Sequence, residues 1–440
     1  MKTADAPLRS RPPVTDLPAG PTRLLAGWYR SGGRADLHAH LAVHGPLDLP
    51  PRPDPRFGQW LADAVHRAGL TGRGGAGFPT ARKLAAAAGW RRPLLVVNAM
   101  EGEPASAKDR ALLSCAPHLV LDGAEATALA IGATELLVCV AAEHRDVAAR
   151  LRTALAERVG RGLVRVAIDV AQPPGTFVAG EESALVRWVG GGPALPTFRP
   201  AKGAPLRVGR RPALVQNAET MAHVGLIARY GPEWFRAEGL PEAPGTTLIT
   251  LTGALTRPGV HEIALGTPLR AIVALGAPAE VGAVLLGGYG GTWLAAEHLD
   301  VAYSPPSLGT LGATVGAGVV GVLPAAACGI AETARLATFL AEESAGQCGP
   351  CVHGLPAVAE DLDRLARGVG DRATFDRLRR RLQAVTGRGA CGHPDGAARM
   401  VKSALSTFAT DLAAHLQQRP CAGRGHPPVM PLPRPGWSRP

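Results

Sequence analysis

Residues 93–104 read Pro-Leu-Leu-Val-Val-Asn-Ala-Met-Glu-Gly-Glu-Pro, an apolar run that ends in a polar loop. A continuous apolar run of this length between turn residues predicts a strand buried on both faces. Similar runs occur at 136–141 and 163–170, and helical patterns occupy 119–131 and 147–159. This alternation predicts an α/β layer with a largely parallel sheet, in which ligands bind beyond the carboxyl ends of the strands.

A glycine-rich stretch precedes this strand. Residues 72–80 read Gly-Arg-Gly-Gly-Ala-Gly-Phe-Pro-Thr. Glycines allow close approach to a ligand, and backbone N–H groups ahead of a helix form an anion cradle. Lys83 lies on the predicted helix and could reach a phosphate or a flavin edge. A tight structural turn is the alternative, because no clear strand precedes the loop with the spacing of a dinucleotide fingerprint.

Three further polar motifs are candidate ligand contacts. Asn98 is followed by Glu101 and Glu103, and an amide beside two carboxylates can bind a heterocycle edge and ribose hydroxyls. The other two motifs contribute Gly180, Glu181 and Glu182, and then Asn217. Read alone, each also fits a solvated loop or an acidic helix start.

The seven cysteines form an odd set in a chain that is not small, which argues against a disulfide framework. Cys115, Cys139 and Cys328 lie in apolar surroundings and are predicted to be core residues. Cys348-Gly-Pro-Cys351, with Cys391 forty residues later, has spacing that suits thiolate ligands of a metal or cluster. A redox pair and a zinc site completed by His353 or His393 remain open.

Composition shifts divide the chain into five segments. We predict a Pro- and Arg-rich, extended or poorly ordered lead-in at 1–55 and an α/β domain at 56–240. A small β-rich module at 244–325, a helical bundle at 331–418 and a Pro-rich tail at 419–440 are predicted to follow. The uncharged run at 304–331 contains many glycines and three prolines, so it predicts buried strands and glycine turns rather than a membrane span.

The formal charge of +11 raises the question of nucleic-acid binding. The basic residues are spread along the chain, and no basic groove with interleaved aromatics is visible. We therefore predict no nucleic-acid partner. Because no apolar secretory segment is present near the start, a cytoplasmic location is expected.

Taken in order, these motifs resemble the flavin-binding subunit of respiratory complex I and related diaphorase subunits. The resemblance covers residues 60–410. It implies a Rossmann-like FMN- and NADH-binding domain, then a ubiquitin-like β-grasp module and an iron–sulfur bundle. It implies FMN bound by Gly72, Arg73, Gly74, Gly75, Gly77, Lys83, Asn98, Glu101, Gly180, Glu181 and Asn217. Contacts to the nicotinamide nucleotide are implied near Phe78, Glu103 and Glu182, and cluster ligation by Cys348, Cys351 and Cys391.

The sequence departs from this family at informative positions. The family's first cluster cysteine is Ala345 here, so a 4Fe-4S cluster would lack one protein thiolate. Met100 replaces an acidic residue, and Ala86 replaces a stacking aromatic, which leaves NADH or NADPH open. The resemblance implies NADH oxidation with transfer of electrons to a ferredoxin-like or thioredoxin-fold subunit or to a membrane reductase. In the last case the chain would be peripheral to a membrane complex. The alternative is a degenerate paralogue that docks a partner without turnover.

Overall fold

A computed structural model describes residues 20–198, 204–419, 421, 423 and 425–433 of the chain. In this structure the predicted lead-in contains two short helices, α1 (Ala26–Arg30) and α2 (Leu37–His44). The prediction of an extended or poorly ordered segment is wrong for this part. Leu24 and Leu25 are fully buried, and the distant Glu262 carboxylate accepts their backbone N–H groups. This ordering depends on a residue more than 200 positions away, so no local pattern could reveal it.

A five-stranded sheet follows in the order β3-β2-β1-β5-β4. Its strands are β1 (Leu94–Ala99), β2 (Glu135–Val140), β3 (Ala167–Ala171), β4 (Leu206–Val208) and β5 (Arg211–Asn217). All neighbours pair in parallel except β4 with β5. The helices around this sheet are α3 (Pro55–Ala68), α4 (Thr80–Ala88), α5 (Lys108–Cys115), α6 (Pro117–Ile131), α7 (Arg145–Gly160), α8 (Glu182–Val189) and α9 (Ala218–Arg236). The predicted α/β layer is confirmed, as are its two helices and three strands, although the strand predicted at 163–170 begins only at Ala167.

Helix α6 forms the centre of this layer, and every one of its residues is buried. It packs against α9 at unusually short range, because Gly123 lies against the backbone of Met221 and Gly225. A methyl group on Gly123 would overlap the Met221 carbonyl oxygen. Strands β1 and β5, which contact these helices, pair in parallel, so their carboxyl ends lie side by side.

A second sheet has the order β11-β10-β12-β8-β9. Its strands are β8 (Thr246–Gly253), β9 (Gly259–Ala264), β10 (Ala283–Leu286), β11 (Thr292–Ala295) and β12 (Val319–Leu323), and the short pair β6 (Gly239–Leu240) and β7 (Ala243–Pro244) precedes them. Strands β8 and β12 are parallel neighbours, and the other pairs in the sheet are antiparallel. Helices α10 (Leu269–Leu275) and α11 (Pro305–Gly309) accompany the sheet. The uncharged run at 304–331 supplies the fully buried β12, as expected.

The last helices are α12 (Gly329–Glu342), α13 (Leu355–Ala366), α14 (Arg372–Val385), α15 (His393–Thr407) and α16 (Ala409–Leu416). They share one apolar core, which also includes residues of the second sheet such as Leu285 and Trp293. Beyond α16, Met430 is buried against Gly321 of β12. Of the helices in the described ranges, none has the length and apolar character needed to span a bilayer.

Candidate functional site

The glycine-rich loop is a closed hairpin-like turn ahead of α4. Gly72 N–H donates to the Phe78 carbonyl at 2.9 Å, and Thr80 N–H donates to the Leu70 carbonyl at 3.0 Å. Gly75 and Gly77 have φ values of 111° and 61°, which side chains rarely adopt. In the part of the chain that the structure describes, the backbone N–H groups of residues 74–77 donate to no protein acceptor. The loop thus presents exposed donors, as an anion cradle requires.

Two cavities meet at this loop. We call one the Phe78 cavity, with a volume of about 570 Å³, and the other the Glu103 cavity, with a volume of about 590 Å³. Both are lined by Gly74, Ala76, Asn98, Gly180 and Asn217. Each volume lies in the usual range of small-molecule sites. We call these five residues the shared wall. Ligands bound in the two cavities could contact each other beside it.

The Phe78 cavity has charged and aromatic groups at its mouth. Lys83 Nζ lies 2.5 Å from Oε1 of Glu182 and also donates to the Val215 carbonyl at 3.2 Å. The Phe78 ring is 41% exposed, and the Arg82 guanidinium lies 5.3 Å from its centroid. An exposed aromatic ring beside a cation suits stacking with a heterocycle. The structure thus brings Phe78, Lys83 and Glu182 together around one cavity.

The shared wall is held by two asparagines at the ends of β1 and β5. Asn98 donates from Nδ2 to the Gly180 carbonyl at 2.8 Å, and its Oδ1 accepts from the Met100 N–H. Asn217 donates from Nδ2 to Asp109 at 2.6 Å, while its Oδ1 caps α9. The position of both at the sheet's carboxyl edge follows from parallel pairing of their strands.

Three predicted contacts direct their charged groups into the protein. Glu101 has φ 46°, and its carboxylate accepts from Ser106, from the backbone N–H groups of Asp109 and Arg110, and from the Arg110 side chain. Glu181 caps α8 through the N–H groups of Ser183 and Ala184. The Arg73 guanidinium donates to the Thr246 carbonyl at 3.2 Å. Their side chains stabilise the walls, and the Arg73 backbone N–H also donates to the Thr220 hydroxyl at 2.9 Å.

Glu103 lies apart from Phe78 and Glu182, in the other cavity. Its carboxylate accepts from the backbone N–H groups of Tyr289 at 2.8 Å and Ala105 at 3.4 Å. Burial raises the pKa of Glu103 to about 7, and these two hydrogen bonds lower it only in part. A carboxyl that titrates near neutral pH therefore borders the Glu103 cavity.

A buried ionic group under the site was not found from the sequence. Lys108 Nζ lies 2.8 Å from Asp109 and 2.9 Å from Glu219, and all three are buried. Burial opposes the charge of Lys108, but the two carboxylates more than offset this and raise its pKa. Burial raises the pKa of Asp109 to about 6. The pattern Lys-Asp-Arg at 108–110 was the available signal, but its partner Glu219 lies 111 residues away from Lys108.

The three predicted cluster cysteines are brought together at the end of the bundle nearest the cavities. Cys351 lies in the one-turn π-helix Pro350–Gly354, and its backbone N–H donates to the Cys348 carbonyl at 3.0 Å. Cys348 and Ser344 lie close enough to its thiol to affect its pKa. The charges of Cys348 and Cys391 act on it from close range. Burial raises the pKa of Cys351 to about 11, so a thiolate here needs a nearby cation such as iron.

The two candidate histidine ligands do not join this group. His393 directs Nε2 to the Leu340 carbonyl at 2.7 Å and packs edge-on against Phe177. His353 is exposed on the π-helical turn. Gly392 and His393, which follow Cys391 directly, line the Glu103 cavity. The cysteine group therefore adjoins the cavity pair.

Two family models match the chain at these places. Residues 65–226 match the family described as the Nuo51 FMN-binding domain. Residues 331–415 match the NADH-ubiquinone oxidoreductase-F iron-sulfur binding region. The first match contains the glycine-rich loop and the asparagine pair, and the second contains the three cysteines.

Similar proteins match over most of their length. The NADH-quinone oxidoreductase F 2 subunit of Rhizobium meliloti is 30% identical over 92% of this chain and 97% of its own. The NADP-reducing hydrogenase subunit HndC of Solidesulfovibrio fructosivorans is 33% identical over 82% of this chain and 77% of its own. The crystal structure of an H2-reduced NAD+-reducing NiFe hydrogenase superposes with a TM-score of 0.79 at 31% identity, covering 92% of this chain and 68% of that one.

Proposed function

Because the chain belongs to the family of NADH-quinone oxidoreductase F subunits, we propose that it oxidises NADH and passes single electrons through an iron–sulfur centre to a redox partner. Bound FMN would supply the hydride acceptance and the conversion to single electrons. The protein binds and orients the reacting rings, and no side chain needs to act as a general acid or base.

One observation carries this proposal. The two cavities share a wall at the glycine-rich loop, and Gly392 and His393, next to Cys391, line one of them. A hydride donor, a flavin and a one-electron carrier need this adjacency. The unpartnered N–H groups of residues 74–77 fit a phosphate, and the room beside Gly77, where an added methyl would meet nothing within 4 Å, fits a bound ligand.

We assign the site residues as follows. The backbone N–H groups of Gly74, Gly75 and Gly77, with Lys83, hold the FMN phosphate, and Gly72 and Arg73, which line the cavities, form the adjoining FMN-binding wall. Asn98, Gly180 and Asn217 contact the flavin from the shared wall, while Glu101 and Glu181 position that wall. Phe78 and Glu182 receive the nicotinamide nucleotide, and Glu103 borders the reacting end. Cys348, Cys351 and Cys391 hold the cluster.

The domain roles are part of the proposal. Residues 56–240 form the FMN- and NADH-binding domain, and residues 244–325 form a β-grasp module. The parallel β8–β12 pair, flanked by antiparallel strands, supports the β-grasp assignment. Residues 331–418 form an iron–sulfur bundle, supported by the cysteine group at one end of its helices.

The redox partner would be a ferredoxin-like or thioredoxin-fold electron-transfer subunit of a complex that is cytoplasmic or peripheral to a membrane. The names of the relatives support this, since one is a subunit of a quinone oxidoreductase and another a subunit of a hydrogenase. A side chain of this partner would also supply the fourth cluster ligand, which Ala345 cannot provide.

Ala345 also favours a second candidate, a paralogue that docks partners without turnover. An anaerobic absorption spectrum of the purified chain, with and without NADH, separates the two. Flavin bands that bleach on NADH addition support the oxidoreductase. A colourless protein that takes up no added FMN would leave the docking module as the better account.

A further inference from the structure

Three metal-ligating side chains meet at a place that the proposed electron path does not use. Cys328, His415 and Cys421 are all buried, and one ligand atom from each lies within 4.8 Å of the other two. The Cys328 Sγ and His415 Nε2 atoms are 3.3 Å apart. Cys328 was predicted to be an ordinary core residue; that interpretation overlooked its partners, one of which is 87 residues away.

We propose that Cys328, His415 and Cys421 bind a zinc ion. Two thiolates and an imidazole are a preferred zinc ligand set, and bonds of about 2.3 Å to sulfur and 2.0 Å to nitrogen place tetrahedral ligand atoms about 3.5–3.8 Å apart. The Cys328–His415 pair at 3.3 Å is slightly shorter than this and the other two pairs lie within 4.8 Å, so small side-chain shifts would meet the geometry. The fourth position falls to water or to Asp411, which lies one turn before His415 and accepts from Gly329 N–H at 3.2 Å.

This group is separate from the proposed iron–sulfur site. Cys328 is the N-cap residue of α12, and Cys348 follows the other end of that helix. The 14 residues of α12 span about 21 Å at 1.5 Å per residue. Ligands at opposite ends of one helix cannot share a metal ion, so the two groups are two sites.

The ion would fasten the C-terminal strap, which we define as residues 421, 423 and 425–433. Gly423 lies against the backbone of Cys328. Farther along, Met430 N–H donates to Glu332 at 2.7 Å, and the Tyr289 hydroxyl donates to the Pro431 carbonyl. The strap thus covers Tyr289, whose own backbone N–H holds Glu103 beside the cavity. Zinc at the start of the strap would have a structural role, because a metal ion that joins two segments of the chain stabilises their folded arrangement.

The test is metal analysis of the full chain purified without chelator. We expect about one zinc per chain in the unaltered protein, and a loss of most of it in C328S, C421S and H415A. The matched control C139A removes a buried thiol of β2 and should keep its zinc. C351S should lose iron but keep zinc, so failure of the proposed cluster is distinguishable from failure of the zinc site.

Two outcomes would overturn the proposal. One is protein that neither contains zinc nor takes it up when zinc is added. The other is a Cys328–Cys421 disulfide found by peptide mass spectrometry without reductant. If the variants do not fold, X-ray absorption of the unaltered protein still decides the matter, since it should show zinc with two sulfur neighbours and one imidazole, and any other set rejects the assignment.

Discussion

Lys83 Nζ and Oε1 of Glu182 lie 2.5 Å apart and join the helix after the glycine-rich loop to the helix that begins at the shared wall. The two side chains are 26% and 41% exposed. An ion pair this exposed contributes about 0–1 kcal/mol to stability. Its position across the mouth of the Phe78 cavity therefore has more consequence for ligands than for folding.

The first prediction is that the two members of this ion pair act on different ligands. We expect K83M to weaken FMN binding about tenfold, through loss of about 1.4 kcal/mol, and E182Q to raise the KM for NADH while FMN stays bound. Both should unfold at nearly the unaltered denaturant concentration. The control R211M breaks a similar ion pair at the opposite edge of the sheet, where the Arg211 guanidinium lies 2.7 Å from the Glu135 carboxylate. It should change neither FMN binding nor the KM for NADH. Equal effects of K83M and E182Q on both ligands would contradict the assignment.

The second prediction compares two glycines of the same conformation. Gly77 and Gly162 have φ values of 61° and 65°, and an added methyl on either meets nothing within 4 Å. G77A and G162A should therefore lose similar stability, about 1 kcal/mol. Only G77A places a methyl in the proposed cradle, so only G77A should lose FMN, measured by fluorescence of the released flavin. Retention of FMN by G77A would remove Gly77 from the site.

The third prediction concerns the missing thiolate. Ser344 lies close enough to the Cys351 thiol to affect its pKa, and Ala345 follows Ser344 in the same loop. We expect A345C to increase the iron and sulfide content per chain and to slow loss of the cluster in air, because four thiolates satisfy a 4Fe-4S cluster. Electron paramagnetic resonance of the reduced protein is the measurement. The idea fails if A345C and the unaltered chain give the same iron content and the same spectrum.

The fourth prediction concerns pH. Burial raises the pKa of Glu103 from 4.5 to about 7, so the folded protein binds this proton more tightly than the unfolded chain. Stability from this group is complete below pH 4.5 and is lost progressively as the pH rises from 4.5 through 7, on the order of 3 kcal/mol. E103Q, whose oxygen can still accept from Tyr289, should flatten this part of the profile. Parallel profiles of the two proteins in thermal melts would refute it.

The sequence predicted those elements whose signal is local. The apolar runs around Val96 and at 136–141 are bounded by turn residues, and the structure has strands there. Residues with distant partners were beyond reach. The Arg73 guanidinium turns to a carbonyl 173 residues away, and Cys328 meets a histidine 87 residues away. Composition and motif spacing do not indicate such pairings, because distant residues meet only when separate helices and strands pack together.

The Glu262 carboxylate, on β9 of the second sheet, accepts the N–H groups of residues 23–25, while Leu24 and Leu25 fill the core of the first layer. A fragment cut at residue 56, where the predicted α/β domain begins, would lack these two leucines and leave a cavity in the core of the first layer. In the rest of the molecule, the Glu262 carboxylate would lose these three backbone donors and keep the Thr246 hydroxyl at 2.6 Å. The smallest autonomous folding unit of this chain is consequently larger than its motifs, and gene fusions or truncations should be placed before residue 20.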